Sequence, residues 1–182
     1  MLIFPMEAIE LFERKTESAK NLRQQEFIPV SIYRKQYNGL FYLQSKPFHR
    51  LLLSLGSDML TTIHHLRVNN KDVKALIKEI QFHPVTEKVL HIDFLQLEDG
   101  DKFFILAKVE IVNRDQCQAV RDGGIVYLPN KKVKIVCSLD SMHPVIKCDI
   151  KNMHKGSVLM SSDLKSDIVF TKNIPLVSIL KE

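Results

Sequence analysis

Two polar side chains within a hydrophobic run are the residues of this sequence best suited to chemistry. His91 and Asp93 alternate with the apolar residues Leu90, Ile92 and Phe94. Successive side chains of a β-strand point to opposite faces, so this pattern predicts a strand with a core face and a polar face. A carboxylate accepts hydrogen bonds, whereas an imidazole can donate or accept them. The pair could bind a polar ligand, act as general acid and base, or form an unliganded surface pair.

Catalytic and metal-binding roles for this pair lack the further groups that they need. A divalent site requires three converging ligands, and beyond His83 no carboxylate or cysteine has suitable spacing. An acid-base enzyme would likewise need a third group. The sequence has no GxxxxGK(S/T), GxSxG or HExxH motif. We therefore predict no catalytic residue, no metal site and no cofactor.

A second group of polar residues is basic and lies nearer the start of the chain. Arg14, Lys15, Lys20 and Arg23 are close together, and the segment 18–25 has the composition of a short helix. The chain has 26 lysines and arginines against 21 acids, a formal net charge of +5, which permits an anionic partner without requiring one. These cations could bind phosphates or form a solvated helix face.

The elements that position these residues are predicted to be mostly strands. Pro29 is expected to end the short helix, and strands at 30–33 and 40–43 are expected to be joined by a turn at Asn38-Gly39. In the pair His64-His65, neighbouring strand residues face opposite sides, which predicts one core-facing member.

A helix and three further strands complete the first half. Pro47 suits a first helical turn and Gly56 a helix end, so a helix is predicted that packs against one end of a sheet. Further strands are predicted at 59–68, 73–82 and 88–97, with a turn around Pro84. A small closed or nearly closed barrel is economical here, because closure removes exposed strand edges. Phe82 is expected in the core, whereas Tyr33 could be either a core residue or a stacking platform.

The second half is separated by acidic and glycine residues at 98–101, which predict a linker between domains 1–98 and 99–182. Beyond it, strands are predicted at 103–112, 124–128, 133–137, 145–150 and 168–170. No long helical pattern is present. The predicted fold class is therefore mainly β with a few short helices (α+β), with a barrel-like domain followed by an all-β domain.

Composition also limits the compartment. Cys117, Cys137 and Cys148 are an odd number without a CxxC pair, which argues against a disulfide framework and favours buried thiols in a reducing cytoplasm. No apolar run is long enough to span a membrane. The apolar residues 1–5 lack a basic lead and are not expected to be a secretory signal.

The motifs together resemble a known family. They are a basic Ser18-x-Lys-x-Leu-Arg23 segment, the Lys78-x-x-Gln-x-His-Pro84 run and the Leu90-His-Ile-Asp-Phe94 strand. The sequence is similar to the bacterial large-subunit ribosomal protein family that binds 5S ribosomal RNA, in its two-domain form, the general stress protein CTC type. The resemblance covers both halves, and it is strongest over residues 75–95.

The resemblance implies a six-stranded barrel that reads the widened minor groove of a distorted 5S RNA loop at the central protuberance of the large (50S) subunit. Arg14, Ser18, Lys20 and Arg23 would hold phosphates, Tyr33 would pack against the sugar-phosphate backbone, and Lys78, Gln81, His91 and Asp93 would contact backbone and base edges. The chain would then be a cytoplasmic, non-catalytic component of the ribosome, with neighbouring ribosomal RNA and proteins as further partners.

Several positions depart from the family pattern. Thr16-Glu17 stands where the family usually has Gly-Lys, and Gln25-Glu26 where it has a basic residue and glycine. Glu17 and Glu26 could point to solvent, or they could weaken RNA binding, with Arg34 and Lys35 restoring contacts. The alternative function is a stress-responsive protein–protein adaptor with vestigial RNA binding. Residues 1–5 also precede the family's usual start, so Met6 is a candidate initiator.

Overall fold

The computed structural model describes residues 8–34, 37–164 and 167–181. The chain divides into two compact units, Met1–Asp99 and Gly100–Glu182. The candidate initiator Met6 and the predicted contact residue Lys35 lie outside the described residues.

The described part of the first unit contains a closed barrel of six strands. The elements are β1 (Ile9–Glu13), α1 (Ala19–Gln24), β2 (Phe27–Arg34), β3 (Tyr37–Gln44), α2 (Ser45–Leu55), a 3-10 helix (Gly56–Thr61), β4 (Ile63–Val68), β5 (Lys71–Phe82) and β6 (Val89–Leu97). The strands follow the order β1-β3-β2-β6-β5-β4, and the parallel pairing of β4 with β1 closes the ring. The barrel expected from the sequence is confirmed.

Strand β1 was not predicted from the sequence pattern, although it closes the barrel. Its residues Ile9 and Leu11 pair with Leu66 and Val68 of β4. Leu11 is buried in the core, while the flanking Glu10 and Phe12 are exposed. The alternation is therefore present in the sequence, but it is short and lies beside the basic segment.

Helix α2 packs against the core of the barrel, as the spacing after Pro47 predicted. Phe48 is buried within the barrel core, and Leu51, Leu52 and Leu55 pack against that core. Gly56 ends the helix with a φ of 52°, a left-handed conformation that costs glycine least.

Three predicted boundaries are wrong. Asn38 and Gly39 lie inside β3, opposite Tyr33 and Ile32, so they do not form the turn. Pro29 lies inside β2 and does not end α1; the pairing of β2 with β6 begins only at the next residue, so the missing N–H of proline costs no bond there. The predicted strand 59–68 begins only at Ile63, because the preceding residues form the 3-10 helix.

His64 is the core-facing member of the His64-His65 pair, as predicted. It is fully buried, whereas His65 is exposed. His64 Nε2 lies 2.9 Å from the carbonyl oxygen of Met59, and its Nδ1 has no hydrogen-bond partner. Burial lowers the pKa of His64 and so favours the neutral imidazole, which donates from Nε2.

The second unit consists of two small sheets in its described residues. Its elements are β7 (Phe103–Val112), a 3-10 helix (Arg114–Gln116), α3 (Gln118–Arg121), β8 (Ile125–Tyr127), β9 (Lys132–Cys137), β10 (Val145–Asp149), β11 (Val158–Met160), a 3-10 helix (Ser161–Asp163), β12 (Val169–Phe170) and β13 (Pro175–Leu180). One sheet has the order β10-β7-β9-β12 and the other β11-β13-β8. The all-β character is confirmed, although β11 and β13 were not predicted.

The three cysteines are free and buried in this unit, as expected. Burial raises the pKa of Cys148 to about 11, so that thiol stays protonated at neutral pH. None of the described helices has the length and apolar character required to cross a membrane.

Candidate nucleic-acid interface

The polar pair His91 and Asp93 lies on the outer face of the barrel, where three adjacent strands bring further polar residues beside it. Strand register places Ser31 of β2 next to Asp93. On the other side, Gln81 and Glu79 of β5 lie opposite His91 and Asp93. Strands β2, β6 and β5 therefore form a continuous polar surface, which we call the strand face.

His91 is held on both sides of its ring. Its Nε2 lies 3.2 Å from the hydroxyl oxygen of Ser31, and its Nδ1 lies 3.4 Å from a carboxylate oxygen of Asp93. When Nδ1 carries the proton, the Ser31 hydroxyl donates to Nε2 and the Nδ1–H lies next to the Asp93 carboxylate. The side chains of His91 and Asp93 are only 21% and 27% exposed, so burial and these contacts restrict their rotation. Ser31 was not predicted as a site residue.

Tyr33 lies on the same side of β2 and belongs to the strand face. Tyr33 is partly buried, whereas the neighbouring Ile32 on the other side of the strand belongs to the barrel core. Burial first, and the carboxylates of Asp93 and Glu79 second, raise the pKa of Tyr33. Its phenol therefore remains a neutral donor at physiological pH, with part of its ring accessible.

Three aromatic residues extend the outer face toward β3 and β1, and sequence reasoning missed them. The rings of Phe12 and Tyr42 stack with centroids 5.5 Å apart, and Phe27 meets Tyr42 edge to face at 5.2 Å. Phe12 and Tyr42 are cross-strand neighbours. The signal for Phe12 was its alternation with the buried Leu11.

The predicted residue Lys78 occupies an irregular position in β5. The register passes from Ile77 to Glu79, so Lys78 is the extra residue of a β-bulge and is half-buried. Glu79, which was not predicted, therefore lies opposite Asp93. The pairing does not align Lys78 with Gln81, His91 and Asp93 as the sequence motif suggested.

The predicted phosphate-binding residues lie on a separate basic segment, residues 14–23. The Ser18 hydroxyl accepts a hydrogen bond from the backbone N–H of Asn21 at 3.2 Å and caps α1. Arg23 Nε donates to the carbonyl oxygen of Leu90 at 3.1 Å, one residue before His91. Lys20 is exposed. Arg23 thus connects the basic segment to the strand face.

The acid Glu17 is engaged within the basic segment itself. Its carboxylate accepts hydrogen bonds from the backbone N–H groups of Lys15 and Thr16 at 3.0 and 3.1 Å. Its carbonyl oxygen accepts a bond from Arg14 Nε at 2.7 Å. Backbone hydrogen bonds, that of its own N–H first, lower the pKa of Glu17.

Glu26 and Arg34 are also paired within the protein. Glu26 lies 2.9 Å from Lys46 Nζ, and this hydrogen bond lowers the pKa of Glu26. Its backbone has a φ of 62°, a left-handed conformation that explains why glycine suits this position. Arg34 forms an ion pair with Glu98. Arg34 is therefore not a free substitute for the basic residues that the family pattern expects.

Groups of three or more potential metal ligands do not occur among the described residues of the chain. The strand face instead presents a fixed set of hydrogen-bonding groups beside exposed cations, which is suited to a ligand with both polar edges and negative charge.

Comparison with known proteins identifies the class. Residues 8–94 match the model of the Ribosomal L25p family, and residues 105–182 match that of the C-terminal domain of ribosomal protein TL5. The chain is therefore a two-part ribosomal protein.

Curated relatives agree over most of the chain. It is 29% identical to large ribosomal subunit protein bL25 of Chlamydia trachomatis serovar L2, over 92% of this chain and 90% of that protein. It is also 29% identical to the bL25 protein of Orientia tsutsugamushi strain Ikeda (82% and 72% covered) and 28% identical to that of Ehrlichia ruminantium strain Gardel (82% and 71%). The chain belongs to the bacterial ribosomal L25 family, and the expected place in the cytoplasmic ribosome follows from this membership.

Proposed function

We propose that this chain binds 5S ribosomal RNA in the large ribosomal subunit, at the central protuberance, and that its role there is structural and not catalytic. The observation that carries the proposal is the fixed row of Ser31, His91 and Asp93, with Gln81 opposite His91. Residues 1–98 would bind the RNA, and residues 99–182 would form the second domain.

The geometry suits the minor groove of RNA. Helical RNA has a wide, shallow minor groove that displays ribose hydroxyls and base edges, whereas its major groove is too narrow for side chains. The strand face is built on rigid strands and carries compact donors and acceptors. Asp93 can accept a hydrogen bond from a guanine amino group or a ribose hydroxyl.

The basic segment would supply the phosphate contacts. Lys20 is exposed, and Arg23 is directed to the edge of the strand face by its bond to Leu90. Such contacts fix position and add affinity, but they carry no sequence information. Glu17 is engaged with its own backbone, which supports a phosphate role for this segment despite the acid.

The test is a salt titration of the full chain binding to 5S RNA and to an unrelated duplex RNA of equal length. We expect tight binding to 5S RNA alone, with a log-log slope that corresponds to several released counterions. Equal, weak binding to both RNAs would reject the proposal. A stable protein partner captured by residues 101–182 after nuclease treatment would then favour the adaptor function.

A further inference from the structure

A broad cleft of about 1200 Å³ lies in the first unit, apart from the strand face. Its walls come from three places: α1 and the start of β2, helix α2, and the turn between β5 and β6. Of its lining residues, only Arg23 and Phe27 also belong to the interface described above. The cleft is therefore largely a second surface of the first unit.

The lining is cationic. Its basic side chains are Arg23, Lys46, His49, Arg50, His83 and Lys88. The acids are Glu26 and Glu87, so four lysines and arginines against two acids leave a formal charge of +2 with histidines neutral. Glu26 is already paired with Lys46 at 2.9 Å. The remaining charge favours an anionic occupant.

Helix α2 directs several of these groups to one side. Lys46, His49, Arg50 and Leu53 are spaced at i, i+3, i+4 and i+7, so they share one face of the helix. All four line the cleft. This stripe is distinct from the face of α2 that buries Phe48 in the barrel.

His83 presents a defined donor in the opposite wall. Its Nδ1 accepts hydrogen bonds from the backbone N–H groups of Val85 and Thr86 at 3.3 and 3.2 Å. The proton of the neutral ring is therefore on Nε2, which can donate to a phosphate oxygen.

The cleft also has an exposed apolar wall. Phe82 is 48% exposed and Leu53 is 73% exposed, and both line the cleft. The expectation that Phe82 is a core residue is therefore wrong; it lies at the end of β5, where β4 no longer covers the strand. An accessible aromatic ring between cations is the usual arrangement for stacking an unpaired base.

We propose that this cleft binds a single-stranded segment of RNA, with phosphates held by Arg50 and Lys88 and a base stacked on Phe82. RNA fits better than an acidic peptide for two reasons. Every nucleotide brings one negative charge, which matches cations supplied by three separate elements. Arg23 also borders both surfaces, so the cations of the cleft continue those of the basic segment that is proposed to hold RNA phosphates.

The experiment measures binding of a fluorescein-labelled, unstructured RNA of about 12 nucleotides to the full chain, alone and saturated with 5S RNA. We expect binding in both cases, with affinity that falls as salt rises. Arg50→Glu should weaken binding of the labelled RNA by about tenfold or more because it reverses a charge in the cleft. Phe82→Ala should weaken it about fivefold or more with little change in salt dependence.

Lys71→Glu is the matched control. It makes the same change in net charge on an exposed residue of the first unit that does not line the cleft. Thermal unfolding of each variant identifies any loss of fold, and the conservative Arg50→Lys should retain most of the binding.

The outcomes separate this proposal from the 5S RNA proposal. If the chain bound the labelled RNA but not 5S RNA, the cleft proposal would be supported and the 5S RNA proposal would be rejected. Loss of affinity that is equal in Arg50→Glu and Lys71→Glu, or the absence of binding, would overturn it. So would a glutamate-rich amphipathic peptide that binds the chain, loses affinity in Arg50→Glu but not in Lys71→Glu, and is not displaced because the labelled RNA does not bind; that result would assign the cleft to a protein partner.

Discussion

The strand face and the basic segment hold their side chains in different ways. On the strand face, His91 is fixed between Ser31 and Asp93, and all three are partly buried. On the basic segment, Lys20 and Arg23 are exposed and are held by one backbone contact at most. The first arrangement restricts side-chain rotation before a ligand arrives, and the second does not.

This difference separates specificity from affinity. Ordering a long, exposed side chain on binding costs conformational entropy, whereas a side chain that is already fixed loses little. The strand face should therefore discriminate between RNA shapes, and the basic segment should contribute a salt-dependent attraction to any RNA.

The largest effect is expected from His91→Ala combined with Asp93→Ala. Each good base contact is worth roughly 1–3 kcal/mol, a value taken from DNA readout, so 5S RNA affinity should fall by about 30-fold or more. Filter binding or fluorescence anisotropy against 5S RNA and an unrelated duplex would measure it. The preference for 5S should be lost while the salt slope is kept; an unchanged 5S affinity would show that the strand face is not the reading surface.

Arg23→Ala should have the opposite signature. Losing one phosphate contact should lower the log-log salt slope by about 0.9 and reduce affinity for both RNAs. Lys71→Ala serves as the control, because Lys71 is exposed but lies outside the basic segment and is not one of the residues of the strand face. An affinity loss confined to 5S RNA, with the slope intact, would contradict the division between the two surfaces.

Ser31→Ala sharpens the comparison, because it removes only the group that holds His91 Nε2. We expect a loss of 5S affinity of a few-fold, consistent with a net hydrogen-bond contribution of about 1 kcal/mol, and no change in salt slope. Ser18→Ala is the matched hydroxyl deletion on the basic segment. Unchanged 5S affinity in Ser31→Ala would show that preorganisation of His91 does not matter.

The smallest effect is expected from Glu26→Gly. Glycine adopts the φ of 62° at this position with less strain, so the thermal midpoint of the first unit should rise by a few degrees, about 4 °C. The exposed ion pair with Lys46 would be lost, but such pairs contribute little. Differential scanning calorimetry would measure the shift, and Glu26→Gln separates the charge from the backbone effect.

The sequence predicted the strand face better than its surroundings. The alternation around His91 and Asp93 was correct because Ile92 and Phe94 are fully buried on the other side. Ser31 and Glu79 were missed, since their proximity to this pair depends on strand register, which spacing along the chain does not encode.

Errors elsewhere have similar causes. Asn38-Gly39 has the composition of a tight turn, but both residues pair with β2 as part of β3. The bulge at Lys78 could not be read from the motif. Strand β13 was missed because Leu176, Val177 and Ile179 are all buried and show no alternation.

The pairing of β1 with β4 and of β2 with β6 has a consequence for biosynthesis. Both contacts join strands that are far apart in the chain, and the parallel pairing of Val30 with Ile92 needs the last strand of the barrel. Such non-local contacts slow folding, because a long loop must close before they form. During translation, the barrel therefore cannot close until β6 has emerged, and the surface proposed to bind RNA forms only in that last step.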